Sequence, residues 1–184
     1  LLIAMTVLHT APDNALYLWL PRVLASGSYP ETTISPGTVL SLFGLVYLVT
    51  RLIVGGLPSA LGNNLMLVLP GAIGGAVLAG AALTRSQALT GVGVVTAAAC
   101  WSVEYPAMLA VLARETGAGF GRALAVSSVS GSLATFGLTA MMGWGAGRLG
   151  ETRLWMLLLA PAVLFPMVSV GGLAYYRRND RRPR

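Results

Sequence analysis

Long apolar runs separated by short polar connections make up most of the sequence. Six runs are predicted as helices, each close to the roughly 20 residues that an α-helix needs to cross a bilayer. Gly, Pro, Ser and Asn in the connections end one helix and start the next. The pattern predicts an all-α, polytopic membrane protein with one six-helix transmembrane bundle over residues 1–176. The expected spans are residues 1–25, 36–57, 65–83, 88–113, 122–147 and 154–176.

Composition supports this class of protein. Hydrophobic residues make up 55% of the 184 residues, charged residues make up 10%, and the mean hydropathy is +0.75. Soluble domains carry roughly 25% charged residues. We therefore expect the lipid bilayer to surround most of the chain.

Positive charge is concentrated at the end of the chain. All twelve basic residues are Arg, and five of them lie in residues 177–184. Arginines beside a span usually mark the cytoplasmic side. We expect a protein integral to the plasma (inner) membrane, with a cytoplasmic tail at 177–184 and both termini cytoplasmic. No aromatic residue interleaves the final basic run, so a nucleic-acid partner is not expected.

A polar cluster interrupts the first run, in the stretch LHTAPDNALYLWLP. Because residues four apart share a helix face, His9, Asp13 and Tyr17 should stack on one side, beside Asn14. Pro12 removes a backbone donor at the same depth. An ionisable residue there costs at least about 2.5–3.5 kcal/mol and is a functional candidate. We predict that the cluster binds solute or protons; alternatively, Asp13 lies near an interface and is solvated.

The fourth run carries a second cluster, CWSVEYPAML. Glu104 lies among Trp101 and Tyr105, and Pro106 should loosen the helix beside them. A carboxylate among aromatic rings fits a cavity for a polar, partly apolar small molecule. Alternatively, Glu104 pairs with Arg51 of the second run and serves only to hold two helices together.

Small residues recur every four positions in the fifth run and, over a shorter stretch, in the third. Such spacing lets helices approach closely in lipid. We expect the fifth helix to be buried against neighbours and not to face lipid. The packing residues are Gly71 and Gly75 in the third run, and Ala123, Ser127, Gly131, Thr135, Thr139, Gly143 and Gly147 in the fifth.

Other chemistries find little support in the sequence. One His, one Cys and separated acids do not supply three or four metal ligands, so no metal and no cofactor are expected. The chain has no lysine for a phosphate-binding loop. Enzyme activity is not expected, although an intramembrane hydrolase stays open as an alternative, with one of the serines at 127–132 as nucleophile and His9 as base.

Several stretches are similar to one family. RLIVGGLPSALGNN, residues 51–64, resembles the loop signature G-R-x-x-x-G-x-x-x-D-R-x-G-R-R of major facilitator superfamily (MFS) transporters. Arg51, Gly55 and Gly62 match it, whereas Ser59 occupies the acidic position. The stretches at 113–126 and 141–150 resemble the connection to the eleventh helix and that helix's end, and the first run resembles a seventh helix. CWSVEYPAML is similar to the fucose-permease-like branch.

The resemblance implies the C-terminal six-helix half of a secondary transporter, a symporter or an antiporter. Its first and fourth helices would line a central cavity, and alternating access would move a small solute. Asp13 or Glu104 could exchange a proton and couple transport to a proton gradient. A missing N-terminal half is the expected partner, and a start at Leu1 suits such a fragment. The remaining alternative is a non-transporting membrane scaffold, in which the polar clusters only fix helix pairing.

Overall fold

A computed structural model describes residues 1–31, 34–55 and 62–179, and this part of the chain is helical with no strand. The prediction of an all-α protein is confirmed. Two 3₁₀ segments, Gly117–Gly119 and Glu151–Leu158, precede α6 and α7. The helices are α1 (Leu2–Leu24), α2 (Pro36–Gly55), α3 (Gly62–Leu83), α4 (Gln87–Ser102), α5 (Glu104–Thr116), α6 (Phe120–Leu149) and α7 (Leu159–Asn179).

Several helices could span a membrane, but their number differs from the expected six. Within the described ranges, four segments have the required length and hydropathy: Pro36–Val54, Met66–Leu83, Gln87–Leu149 and Glu151–Arg177. The first run is not among them, because its polar cluster lowers the hydropathy of α1. The fourth and fifth runs fall within a single segment of 63 residues.

The predicted fourth run is in fact two helices, α4 and α5, which meet at Val103. Pro106 has no N–H to donate to the carbonyl of Ser102, four residues earlier. The side chain of Arg51 on α2 supplies the missing donor, with its Nε 3.1 Å from Ser102 O. The expected effect of the proline is therefore present, and a side chain from another helix satisfies the freed carbonyl.

Glycines allow α3 to pack closely against α7, as the spacing of Gly71 and Gly75 predicts. A Cβ on Gly71 would lie 2.6 Å from Phe165 O, and one on Gly75 would lie 2.6 Å from Ala162 O. Ala162 is four residues before Pro166, which cannot donate to its carbonyl. Only a residue without a side chain leaves room for these carbonyls.

The small-residue stripe of α6 faces α1, which α6 packs against extensively. Gly131 lies against Thr10, since a Cβ on this glycine would be 3.4 Å from Thr10 Cγ2, and the hydroxyls of Ser127 and Thr6 share a hydrogen bond. The other face is open: Phe136 is 76% exposed. The stripe thus contacts a neighbour. The expectation that this helix is buried against neighbours and has no outward face is wrong for the described residues, since α6 lies at the edge. Half-buried members of the stripe are Ala123, Thr135, Thr139 and Gly143.

Charged side chains gather where α1 and α6 end. Arg22, in the last turn of α1, forms an ion pair with Glu151 at the start of the second 3₁₀ segment. Arg85, between α3 and α4, lies over the ring of Trp155 at 5.2 Å from its centroid. The connections after α1, α3 and α6 therefore meet at one end of the bundle.

Candidate functional site

A buried hydrogen bond joins α1 to α5 inside the bundle. His9 Nδ1 lies 2.9 Å from Glu104 Oε2, and the two side chains are 1% and 0% exposed. Glu104 is the first residue of α5, directly after the break at Val103. The alternative pairing of Glu104 with Arg51 is wrong, because Arg51 bonds to the Ser102 carbonyl and His9 takes the carboxylate. We call this contact the His9–Glu104 pair.

Aromatic rings enclose the His9–Glu104 pair. Tyr105 stacks on the imidazole at 5.8 Å between ring centroids, and Phe165 of α7 meets it edge-on at 5.2 Å. Trp101 stacks on Phe165, 3.6 Å between centroids and 9° between planes. The structure thus brings His9, Trp101 and Tyr105 together around the acid. Phe165 was not predicted, because an apolar residue in an apolar run carries no signal of its own.

Some polar atoms around the pair have no hydrogen-bond partner among the described residues. They are His9 Nε2, Glu104 Oε1, Trp101 Nε1 and Ser169 Oγ. Ser169 lies across from Gly71, where a Cβ would be 2.6 Å from its hydroxyl and 2.8 Å from Glu104 Oε1. Because buried polar atoms are usually satisfied, this cluster retains hydrogen-bonding capacity for water or another polar group.

The other polar residues of α1 lie apart from this pair. His9 points into the bundle, whereas Tyr17 is 47% exposed. Asp13 and Tyr17 line the same cleft against α2, whereas His9 does not, because each four-residue step turns an α-helix about 40° beyond a full circle. The expectation that all three share one face is therefore wrong for His9. Two steps are enough to carry Tyr17 away from the interior. Asp13, half-buried, lies between them.

Asp13 opens onto a cleft of about 280 Å³ between α1 and α2, here called the α1–α2 cleft. The Tyr47 hydroxyl donates to Asp13 Oδ2 at 2.9 Å, which leaves Asp13 Oδ1 buried with no hydrogen-bond partner in the described part. Asp13 is thus bound to a second helix and is not simply solvated. The lining residues are Asp13, Asn14, Tyr17, Phe43, Gly44, Tyr47, Leu48 and Arg51.

The α2 side of the cleft is aromatic and basic. Phe43 and Tyr47 stack at 5.6 Å between centroids, and Tyr17 of α1 approaches Phe43 at 6.1 Å. The guanidinium carbon of Arg51 lies 4.4 Å from the centroid of the Tyr47 ring. Sequence reasoning missed Phe43 and Tyr47; their four-residue spacing in α2, in register with Arg51, is the signal that could have found them.

The matched positions of the loop signature lie before and after a segment outside the described residues. Gly55 ends α2 and Gly62 begins α3, and residues 56–61, including Ser59, lie outside the described residues. So do residues 180–184 of the Arg-rich tail. Arg51 itself lies within α2, where it lines the α1–α2 cleft.

The residues of the hydrolase alternative have other partners. The Ser127 hydroxyl bonds to Thr6, His9 Nδ1 bonds to Glu104, and His9 Nε2 has no hydrogen-bond partner among the described residues. Ser127 and His9 therefore do not form a nucleophile–base contact. Across the described ranges, no group of three or more His, Cys, Asp or Glu residues could hold a metal ion.

Comparison with known proteins does not assign the chain to a family. No family model matches it, and neither a curated protein nor a solved structure does. The fold and the two sites define a helical protein with several helices of membrane-spanning length and two polar sites along its first helix.

Proposed function

We propose that the chain is the C-terminal six-helix half of an MFS-type secondary transporter, which moves a small solute by alternating access. One observation carries the proposal: a single helix, α1, bears both the buried His9–Glu104 pair and the α1–α2 cleft around Asp13. Ionisable groups at membrane depth are costly and mark ion or substrate pathways. The likeness of residues 51–64 to the MFS loop signature supports the same proposal.

Six membrane crossings are part of this proposal. As one straight helix, the 63 residues of Gln87–Leu149 would extend about 95 Å, three times the hydrocarbon thickness of about 30 Å. The chain can turn back at Gly117, whose φ of 51° ends α5. We propose that α4 with α5 makes one crossing and α6 another. With α2, α3 and α7, these make five crossings, and α1 completes the six. Its polar residues face protein or the cleft and not lipid.

The α1–α2 cleft and the His9–Glu104 pair would have different roles in transport. The α1–α2 cleft, with Asp13, Asn14 and Tyr17, would bind the solute. The His9–Glu104 pair would exchange a proton, as would Asp13 if the coupling ran through the cleft. If Asp13→Asn and Glu104→Gln both left proton-driven uptake by the full-length protein intact, the proposal that these carboxyl groups carry the coupling proton would be refuted.

The proposed setting is the plasma (inner) membrane, with both ends of the chain cytoplasmic. The Arg-rich tail at 177–184 supports this orientation. The connections after α1, α3 and α6, with Arg22 at the end of α1 and Arg85 between α3 and α4, would then face outward. An N-terminal six-helix half would complete the solute pathway, and lipid would surround the rest.

Cysteine labelling tests alternating access without knowledge of the solute. Asn14 is exposed in the cleft, and Cys100 is the chain's single cysteine. In full-length protein freed of other cysteines by changes such as Cys100→Ser, Asn14→Cys should react with an impermeant maleimide from either side of the membrane. Ala15→Cys is the control, since Ala15 is 0% exposed and should not react. Labelling of Asn14→Cys from one side only contradicts the proposal.

A membrane scaffold is the second candidate, because complete burial of the His9–Glu104 pair also suits a purely structural link. The scaffold predicts that Asp13→Asn and Glu104→Gln damage folding more than solute flux. The transporter predicts the reverse for Asp13→Asn. A hydrolase would require labelling by a serine-directed covalent probe, lost on His9→Ala.

A further inference from the structure

We infer that the α1–α2 cleft binds a zwitterion: a small molecule that carries one cationic and one anionic group beside an aromatic or apolar part. The inference rests on the proposed transporter function, because it names the class of solute. Its basis is a carboxylate and a guanidinium that both contact one tyrosine in the same cleft.

Only one oxygen of the Asp13 carboxylate has a hydrogen-bond partner in the described part of the chain. Tyr47 donates to Oδ2, while Oδ1 is buried without a hydrogen-bond partner in the described part of the chain. An ionised carboxylate only accepts hydrogen bonds, and its strongest partners are cationic donors. Because Asp13 also lines the cleft, its negative charge is suited to attract the ammonium group of a ligand.

Arg51 is held in place by the protein. Its Nε donates to Ser102 O, the carbonyl that Pro106 leaves free, and its guanidinium lies over the Tyr47 ring. A guanidinium has five N–H donors in a planar fork, and Ser102 takes one of them. Because that fork matches a carboxylate, Arg51 is suited to the anionic group of the ligand.

Tyr47 sets the spacing between the two charges. Its hydroxyl binds Asp13 at 2.9 Å, and its ring centroid lies 4.4 Å from the guanidinium carbon of Arg51. The two charges are thus separated by about one aromatic side chain. A ligand with a single charge would be attracted by one group and repelled by the other, whereas a zwitterion is attracted by both.

The remaining walls are suited to an apolar part. Tyr17 and Phe43 form an aromatic corner, 6.1 Å between ring centroids, which can pack against a ring or an aliphatic chain. Gly44 keeps the space beside them open, because a Cβ there would meet nothing within 4 Å. The volume of about 280 Å³ limits the ligand to a small molecule.

Three probes that share a phenylethyl skeleton and differ in their charged groups test the inference: L-phenylalanine, phenethylamine and 3-phenylpropanoate. Their dissociation constants are measured by calorimetry on the full-length wild-type protein in lipid nanodiscs. We expect L-phenylalanine to bind at least tenfold more tightly than either singly charged probe. Equal or tighter binding of a singly charged probe overturns the inference, as does the absence of binding by all three. This comparison needs no variant to fold.

Variants then assign each charge. Asp13→Asn should weaken L-phenylalanine binding at least tenfold without weakening 3-phenylpropanoate, and Arg51→Gln should do the same without weakening phenethylamine. The controls are Glu31→Gln and Arg122→Gln, both exposed and outside the cleft, which should change nothing. Loss of affinity for all three probes alike in either cleft variant contradicts the charge assignment.

The two proposals can fail separately. If Asn14→Cys is labelled from both sides but no zwitterion preference appears, the inference is wrong and the transporter proposal stands. If labelling occurs from one side only, the transporter proposal fails whatever the probes show.

Discussion

His9 and Glu104, 95 residues apart in the sequence, share a hydrogen bond of 2.9 Å in which neither side chain reaches solvent. The contact ties α1, which also borders the α1–α2 cleft, to the start of α5. Tyr105 and Phe165 pack against the imidazole, so a change in the pair would reach α7 as well. The pair therefore links three helices, α1, α5 and α7.

The pair should show strong energetic coupling. Replacing one member, as in Glu104→Leu, leaves the other buried without its partner, and such changes cost about 3–5 kcal/mol in soluble proteins. The double variant with His9→Leu removes both polar groups, so we expect it to lose less stability than the sum of the two single variants. Because polar pairs in membrane proteins couple by at most about 1.7 kcal/mol, we expect about 1–1.5 kcal/mol. Unfolding in mixed micelles measures this cycle, and additive effects would contradict it.

Gly74 should be intolerant of a side chain. A Cβ there would collide with Trp101 Nε1, whereas a Cβ on Gly80 of the same helix would meet nothing within 4 Å. Overpacking of this kind typically costs about 1–3 kcal/mol. We expect Gly74→Ala to lower the free energy of unfolding by that amount and Gly80→Ala to leave it unchanged or raise it slightly. Equal effects of the two substitutions would argue against the close contact of α3 with α4.

The stack of Phe165 on Trp101 should contribute beyond simple burial. Aromatic pairs are worth about 0.5–1.5 kcal/mol in addition to their buried area. Phe165→Leu should therefore destabilise the protein by about 1–2 kcal/mol. Phe165 is 0% exposed and Phe136 is 76% exposed, so Phe136→Leu is the matched control and should have little effect. The comparison fails if both substitutions cost the same.

Gln87 should hold the connection between α1 and α2. Its Nε2 donates to Leu24 O at 2.9 Å, and its Oε1 accepts from Ile34 N at 2.9 Å. Gln87→Leu should cost about 1–3 kcal/mol, because both backbone groups lose a partner. Hydrogen exchange at the Ile34 amide should accelerate in Gln87→Leu and less so in Gln87→Glu, which keeps an acceptor. Unchanged exchange in Gln87→Leu would show that the bond is not formed.

Much of the fold was predictable, because the hydropathy of a run and the Gly and Pro residues at its ends determine where a helix begins and ends. The run at 36–57 became α2, Pro36–Gly55, because Pro36 suits a first helical turn and the apolar residues continue to its end. The interruption of the run at 88–113 is harder to predict. Pro106 predicts that one helical hydrogen bond is missing. The donor that satisfies the Ser102 carbonyl and supports a break at Val103 comes from Arg51 on another helix, which the local sequence does not predict.

The sequence by itself determined that the protein is helical, the approximate bounds of most helices and the polar residues that would be costly in lipid. Each depends on composition and short-range spacing, which no neighbouring helix can change. Only the tertiary structure decided that Glu104 pairs with His9 and not with Arg51, and that Asp13 belongs to a separate cleft. Partner choice depends on how each helix is rotated about its axis, and that rotation is set by the packing of distant segments, such as Gly71 and Gly75 against α7.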